Sequence, residues 1–102
     1  MGRQISVGLI GASSFGKNHL AGFQASPHVR KIVLAGRNRE ALEALAREYG
    51  KVAAITTAYE SLFTDPELDL VDIVLPHDMH LPVAAAALRA GKHVLVEKPP
   101  AR

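Results

Sequence analysis

Five short apolar runs punctuate this chain, and between them lie stretches whose apolar residues recur at helical spacing. The runs are Ile5 to Ile10, Lys31 to Ala35, a weaker Val52 to Thr56, Leu70 to Leu75 and His93 to Val96. None alternates strictly between apolar and polar, so each reads as a strand buried on both faces. The intervening segments predict helices. Phe15 to Ala25 places Phe15, Leu20 and Phe23 near one face and stops at Ser26-Pro27. Asn38 can cap a second helix, whose Ala41, Leu42, Leu45, Ala46 and Tyr49 form a stripe ending at Gly50. A short helix is expected over Tyr59 to Phe63, and a turn at Asp65-Pro66. Leu81 to Ala90 is alanine-rich, with Pro82 tolerable only in a first turn and Gly91 beyond its end. Strand–helix alternation of this kind predicts a doubly wound α/β fold: a parallel sheet of about five strands with helices on both faces.

Composition narrows the function classes. The chain has 102 residues, the size of one domain, with 48% hydrophobic and 22% charged residues. Its formal net charge is +2, and no run of basic residues suggests a nucleic-acid surface or a polybasic membrane contact. The absence of cysteine excludes a disulfide scaffold, a thiolate metal site and a cysteine nucleophile. No apolar stretch approaches the ~18 residues of a membrane span, and Met1 to Ser6 has no signal-peptide core. These features lead us to expect a cytoplasmic domain with neither nucleic-acid nor membrane partners.

Between the first strand and the first helix stands Gly11-Ala12-Ser13-Ser14-Phe15-Gly16. Against the G-x-G-x-x-G pattern, the first and third glycines are present and Ser13 replaces the second. Gly11 suits a tight turn, and Gly16 suits close packing of helix on strand. Backbone N–H groups at a helix start favour a pyrophosphate, and Ser13 adds a hydroxyl donor. Gly11, Ser13, Ser14, Phe15 and Gly16 are therefore candidate cofactor-binding residues. A turn that needs glycine only for packing would have the same sequence.

Dinucleotide sheets selective for NAD carry an acidic residue about twenty positions past this loop, where it holds the ribose 2′-hydroxyl. Gly36 stands there, followed by Arg37, Asn38 and Arg39. With no carboxylate to repel a 2′-phosphate and an arginine able to grip one, NADP is expected in preference to NAD. Arg37 and Asn38 join the cofactor-binding candidates, though a solvated turn would also accommodate these residues.

Pro76-His77-Asp78-Met79-His80 follows the fourth strand, at the edge where open α/β sheets bind ligands. His77 and His80 invite a metal reading, but no third ligand accompanies them, and no metal site is expected. Asp78 reads as a cap and His80 as a polar residue near a helix start, while His19 reads as a packing or hydrogen-bonding residue. After the fifth strand comes Glu97-Lys98-Pro99. A lysine there could donate to a substrate oxygen or relay a proton. Taken alone, this tripeptide is simply a charged strand end.

Taken in order, G-A-S-S-F-G-K-N-H, D-P-E-L-D-L-V-D-I-V, P-H-D-M-H and G-K-H-V-L-V-E-K-P resemble the Gfo/Idh/MocA oxidoreductases, from about Ile5 to the last residues. The terminal block is the most specific part. The resemblance implies the amino-terminal Rossmann domain of an NAD(P)-dependent enzyme that acts on CH–OH groups of sugars, polyols or related substrates by hydride transfer. It makes Lys98 the catalytic lysine and places Glu97, Pro76, His77 and His80 at the cofactor. Leu75 and His77 stand where the family has Thr and Asn. It also implies a carboxyl-terminal domain supplying substrate contacts and any homo-oligomer interface, so residues 1–102 are expected to be an inactive, truncated cofactor domain. A non-catalytic NAD(P)-binding or regulatory module is the alternative, and a structural domain that binds no nucleotide a third.

Overall fold

The computed structural model describes residues 4–11, 17–74, 85–86 and 88–97, with the side chains of 95–97 excepted. Eight elements follow one another: β1 (Ile5–Ile10), α1 (Lys17–Ala25), β2 (Val29–Ala35), α2 (Arg39–Glu48), β3 (Val52–Thr56), α3 (Glu60–Phe63), β4 (Leu70–Val74) and β5 (His93–Glu97). Residues 85, 86, 88 and 89 are helical as well, and the Ala90 N–H donates to the Ala86 carbonyl. The strands form one sheet in the order β3-β2-β1-β4-β5, and each neighbouring pair is parallel.

Alternation along the strands sends apolar side chains to two cores, as a two-sided sheet requires. On one face Val7, Leu9, Ile32, Leu34 and Val74 pack with Leu20 of α1 and with Leu42 and Leu45 of α2. On the other, Ile10, Val33, Ala35, Val71 and Ile73 pack with Leu62 and Phe63 of α3 and with Leu68. Burying each such side chain contributes roughly 1.5–3 kcal/mol. This is the doubly wound architecture expected from the apolar runs.

Several boundaries differ from the expectation. β2 begins at Val29 rather than Lys31, because buried Val29 pairs with Ile5 and the Ile5 N–H donates to the His28 carbonyl at 2.8 Å. The polar pair Arg30-Lys31 had masked that start. Arg30 is exposed and donates to the Ser6 hydroxyl at 3.0 Å, while the Ser6 N–H donates to the Asp69 carboxylate at 3.0 Å and the Asp69 N–H to the Ser6 carbonyl at 2.9 Å. Tyr59 caps α3 instead of lying within it. β5 continues through Glu97, one residue past its expected end. In α2, Leu42 and Leu45 are buried, whereas Ala41 and Ala46 are only half-buried, and half-buried Tyr49 is its C-cap rather than part of the helix.

Gly8 lies under α3. A Cβ there would stand 3.0 Å from Leu62 Cδ1 and 3.1 Å from Leu68 Cδ1. Terminal methyls can yield a few tenths of an ångström to alanine but not to a branched side chain. Gly8→Val is therefore expected to lower stability by about 1–3 kcal/mol and Gly8→Ala by distinctly less, as read from urea denaturation midpoints. Equal midpoints for Gly8→Val and the parent would show that this face is loosely packed.

Candidate dinucleotide site

The sheet order places the candidate residues. From β1 the chain winds through β2 to β3 on one side, and β4 and β5 lie on the other, so the winding reverses between β1 and β4. Ligands of open α/β sheets bind at the carboxyl ends of the strands beside such a reversal. Register brings those ends into line: Ile10 pairs with Ala35 and Ile73, and Val74 pairs with Glu97.

Gly11 sits at the centre of this edge. Its N–H donates to the Ala35 carbonyl at 3.3 Å, extending the contact with β2, and its φ is +95°. On the β4 side, a Cβ on Gly11 would stand 1.9 Å from the Val74 carbonyl oxygen and 2.8 Å from the carbonyl carbon. Both the dihedral and the close approach exclude a side chain. At Gly11 the end of β1 lies with bare backbone against the neighbouring strand. The remaining loop candidates, Ser13, Ser14, Phe15 and Gly16, lie outside the described residues.

On the other side of β1, the Gly36 N–H donates to the Thr56 carbonyl at 3.1 Å, carrying the ladder one residue beyond β2. A Cβ on Gly36 would meet Leu42 Cδ2 at 3.4 Å, which leaves room for a small side chain. Arg37, Asn38 and Arg39 are all exposed beside it. Asn38 caps α2, its Oδ1 accepting from the Ala41 N–H at 3.1 Å. The cap occupies the amide oxygen, so a ligand contact by Asn38 falls to its amide nitrogen.

Glu97 ends β5 at the same edge, directly across from Val74. Pro76, His77, His80 and Lys98 lie outside the described residues. The backbone thus brings together Gly11, Gly36, Arg37, Asn38, Val74 and Glu97 along one edge, and α1 begins within a few residues of that edge.

One pair near this edge was overlooked in the sequence. Asp72 lies in β4, fully buried on the face covered by α1, and its Oδ2 is 2.5 Å from His19 Nδ1. Of the packing and hydrogen-bonding roles expected for His19, the structure shows the hydrogen bond. The available signal was Asp72 itself, an acidic residue inside the apolar run Leu70-Val71-Asp72-Ile73-Val74.

A parallel sheet with a side-chain-free turn at its winding reversal is a dinucleotide-binding domain in form. Its sequence agrees: the model of the oxidoreductase family with an NAD-binding Rossmann fold, Gfo/Idh/MocA, matches residues 5–102, and the chain belongs to that family. Levoglucosan dehydrogenase from Pseudarthrobacter phenanthrenivorans is 37% identical over 98% of this chain and 27% of its own length. A dTDP-3,4-didehydro-2,6-dideoxy-α-D-glucose 3-reductase from Streptomyces violaceoruber is 38% identical over 95% of this chain and 28% of its own. A solved structure of levoglucosan dehydrogenase in complex with NADH and levoglucosan superposes with a TM-score of 0.80, at 35% identity, over 92% of this chain and 27% of that one. A 3-ketoreductase variant from Actinomadura kijaniata, solved with NADP, gives a TM-score of 0.79 at 28% identity, over 92% of this chain and 30% of that one. The chain thus spans somewhat more than a quarter of the length of these relatives.

Proposed function

We propose that residues 1–102 form the cofactor domain of a larger NAD(P)-dependent oxidoreductase that acts on a CH–OH group of a sugar, polyol or related substrate. The observation that carries this reading is Gly11, whose positive φ and close approach to the Val74 backbone demand a glycine turn at the winding reversal, where dinucleotide sheets bind their cofactor. The residues fit the group: a glycine turn, a following helix start and an exposed arginine beside the second strand. Relatives that act on levoglucosan and on a deoxysugar nucleotide support the substrate class. When bound, the nicotinamide supplies hydride transfer.

In this reading Gly11, Ser13, Ser14, Phe15 and Gly16 receive the pyrophosphate through backbone N–H groups and the serine hydroxyls. Arg37 and Asn38 contact the adenosine ribose. Pro76, His77, His80 and Glu97 line the nicotinamide end, and Lys98 donates to the substrate oxygen or accepts its proton. Substrate contacts and any homo-oligomer interface belong to a carboxyl-terminal domain, so the 102-residue chain by itself binds cofactor without turnover.

NADP is the preferred cofactor, because Gly36 removes the carboxylate that would repel a 2′-phosphate and Arg37 can pair with that phosphate. Calorimetric titration of the chain is expected to give tighter binding of NADPH than of NADH. Arg37→Ala should weaken NADPH by roughly 1–3 kcal/mol and leave NADH almost unchanged. Gly36→Asp, whose Cβ would make ordinary contact with Leu42, should reverse the preference. Equal affinities in the parent would remove Arg37 from this role, and no binding of either cofactor would overturn the whole reading.

A further inference from the structure

Asp72 is 0% exposed, and a carboxylate held out of water needs a strong compensating partner. Its place in the fold is specific. Asp72 pairs in register with Leu9 and stands two residues before the end of β4, on the same strand face as Val74. Above that face runs α1, and His19, in the first turn of the described helix, closes the 2.5 Å contact with Oδ2. The positive end of the helix dipole favours a carboxylate at this position.

Apolar packing alone constrains α1 weakly. Among its described residues Leu20 is the buried side chain, with Phe23 half-buried, and most of the rest face outward. Leu20 and Phe23 pack α1 on the sheet, and near its carboxyl-terminal end Gln24 Oε1 accepts from the Lys51 N–H at 2.9 Å. The His19–Asp72 contact adds a directional tether to β4 near the other end of the described helix. The described helix begins at Lys17, six residues after Gly11 at the carboxyl end of β1.

We propose that His19 and Asp72 form a positioning pair that locks α1 onto β4 and thereby supports pyrophosphate binding at this edge of the sheet. This inference rests on the dinucleotide reading above. His19 is a positioning residue that acts through the helix.

The test uses the 102-residue chain with two fragments of the cofactor, ADP-ribose and adenosine, titrated by NMR at a temperature where each variant is folded. The first carries the pyrophosphate and the second does not. His19→Ser cannot reach Asp72, and because the His19 side chain is 20% exposed, water can enter to hydrate the carboxylate. Its affinity for ADP-ribose is expected to fall at least ten-fold, with adenosine affinity within two-fold of the parent. His19→Asn, whose amide nitrogen stands near the position of Nδ1, is expected to restore most of the ADP-ribose affinity. Should His19→Ser not fold, His19→Gln decides the matter: its amide is displaced by one bond, and the same selective loss is expected. Parent-like ADP-ribose affinity in the deciding variant, or an equal loss for both ligands, overturns the positioning role and leaves the dinucleotide reading standing. Failure of the parent chain to bind ADP-ribose overturns both.

Discussion

Gly11→Ala is expected to melt far below the parent and to lose dinucleotide binding at the same time. The added Cβ would lie 1.9 Å from a backbone oxygen, Val74 O, so no side-chain rotation relieves the clash. The end of β1 must move from β4, or the turn must abandon its φ of +95°. Left-handed backbone costs a non-glycine residue about 1–2 kcal/mol, and forced overpacking adds about 1–3 kcal/mol. A loss of roughly 2–5 kcal/mol is a large part of the ~5–15 kcal/mol that stabilises a domain of this size. Scanning calorimetry should register a drop of roughly 10–30 °C in Tm. NADPH binding should be absent even below that lower Tm, because the displaced turn no longer presents the loop. Gly22→Ala is the control: it adds a methyl into open space on α1 and should stabilise by about 0.5–1 kcal/mol. A Gly11→Ala variant that melts and binds like the parent would show that the close approach to Val74 is not required.

The sheet was legible because its strands are buried on both faces. Continuous apolar runs such as Leu70 to Val74 admit few other arrangements, and the capping residue Asn38 marked the start of α2 correctly. Edges were harder to read. Arg30 and Lys31 open β2 with charged side chains, and only pairing with β1, a contact far away in sequence, reveals that Val29 already belongs to the strand. The same limit applies to the site. A glycine in a strand–turn–helix context pointed to Gly11, but its contact with Val74 joins residues that only the fold brings together. Asp72 illustrates the converse. Its partner His19 lies 53 positions away, and nothing local in either segment indicates that they meet. Local chemistry could be read from the sequence, whereas partnerships across the sheet required the topology.

Lys98→Met in the intact enzyme is expected to lower turnover by roughly 100-fold or more, with NADPH affinity within a few-fold of the parent. The argument starts from the strand that leads to it. β5 runs parallel to β4 and reaches the edge proposed to bind the cofactor at Glu97, level with Val74 and one residue before Lys98 in sequence. In the proposed enzyme a lysine there serves the reacting oxygen, donating a hydrogen bond or taking up a proton as the CH–OH carbon is oxidised. Methionine keeps an unbranched chain of similar length and deletes only the donor. Such an interaction matters most as charge develops on oxygen, so its loss falls on kcat rather than on cofactor binding. Steady-state kinetics with a saturating cofactor, paired with calorimetry for NADPH, separate the possibilities. Unchanged turnover would make Lys98 a solvated charge at a strand end. Parallel loss of turnover and cofactor binding would assign it to the structure of the loop. Loss of turnover alone identifies the lysine as a group that acts on the substrate.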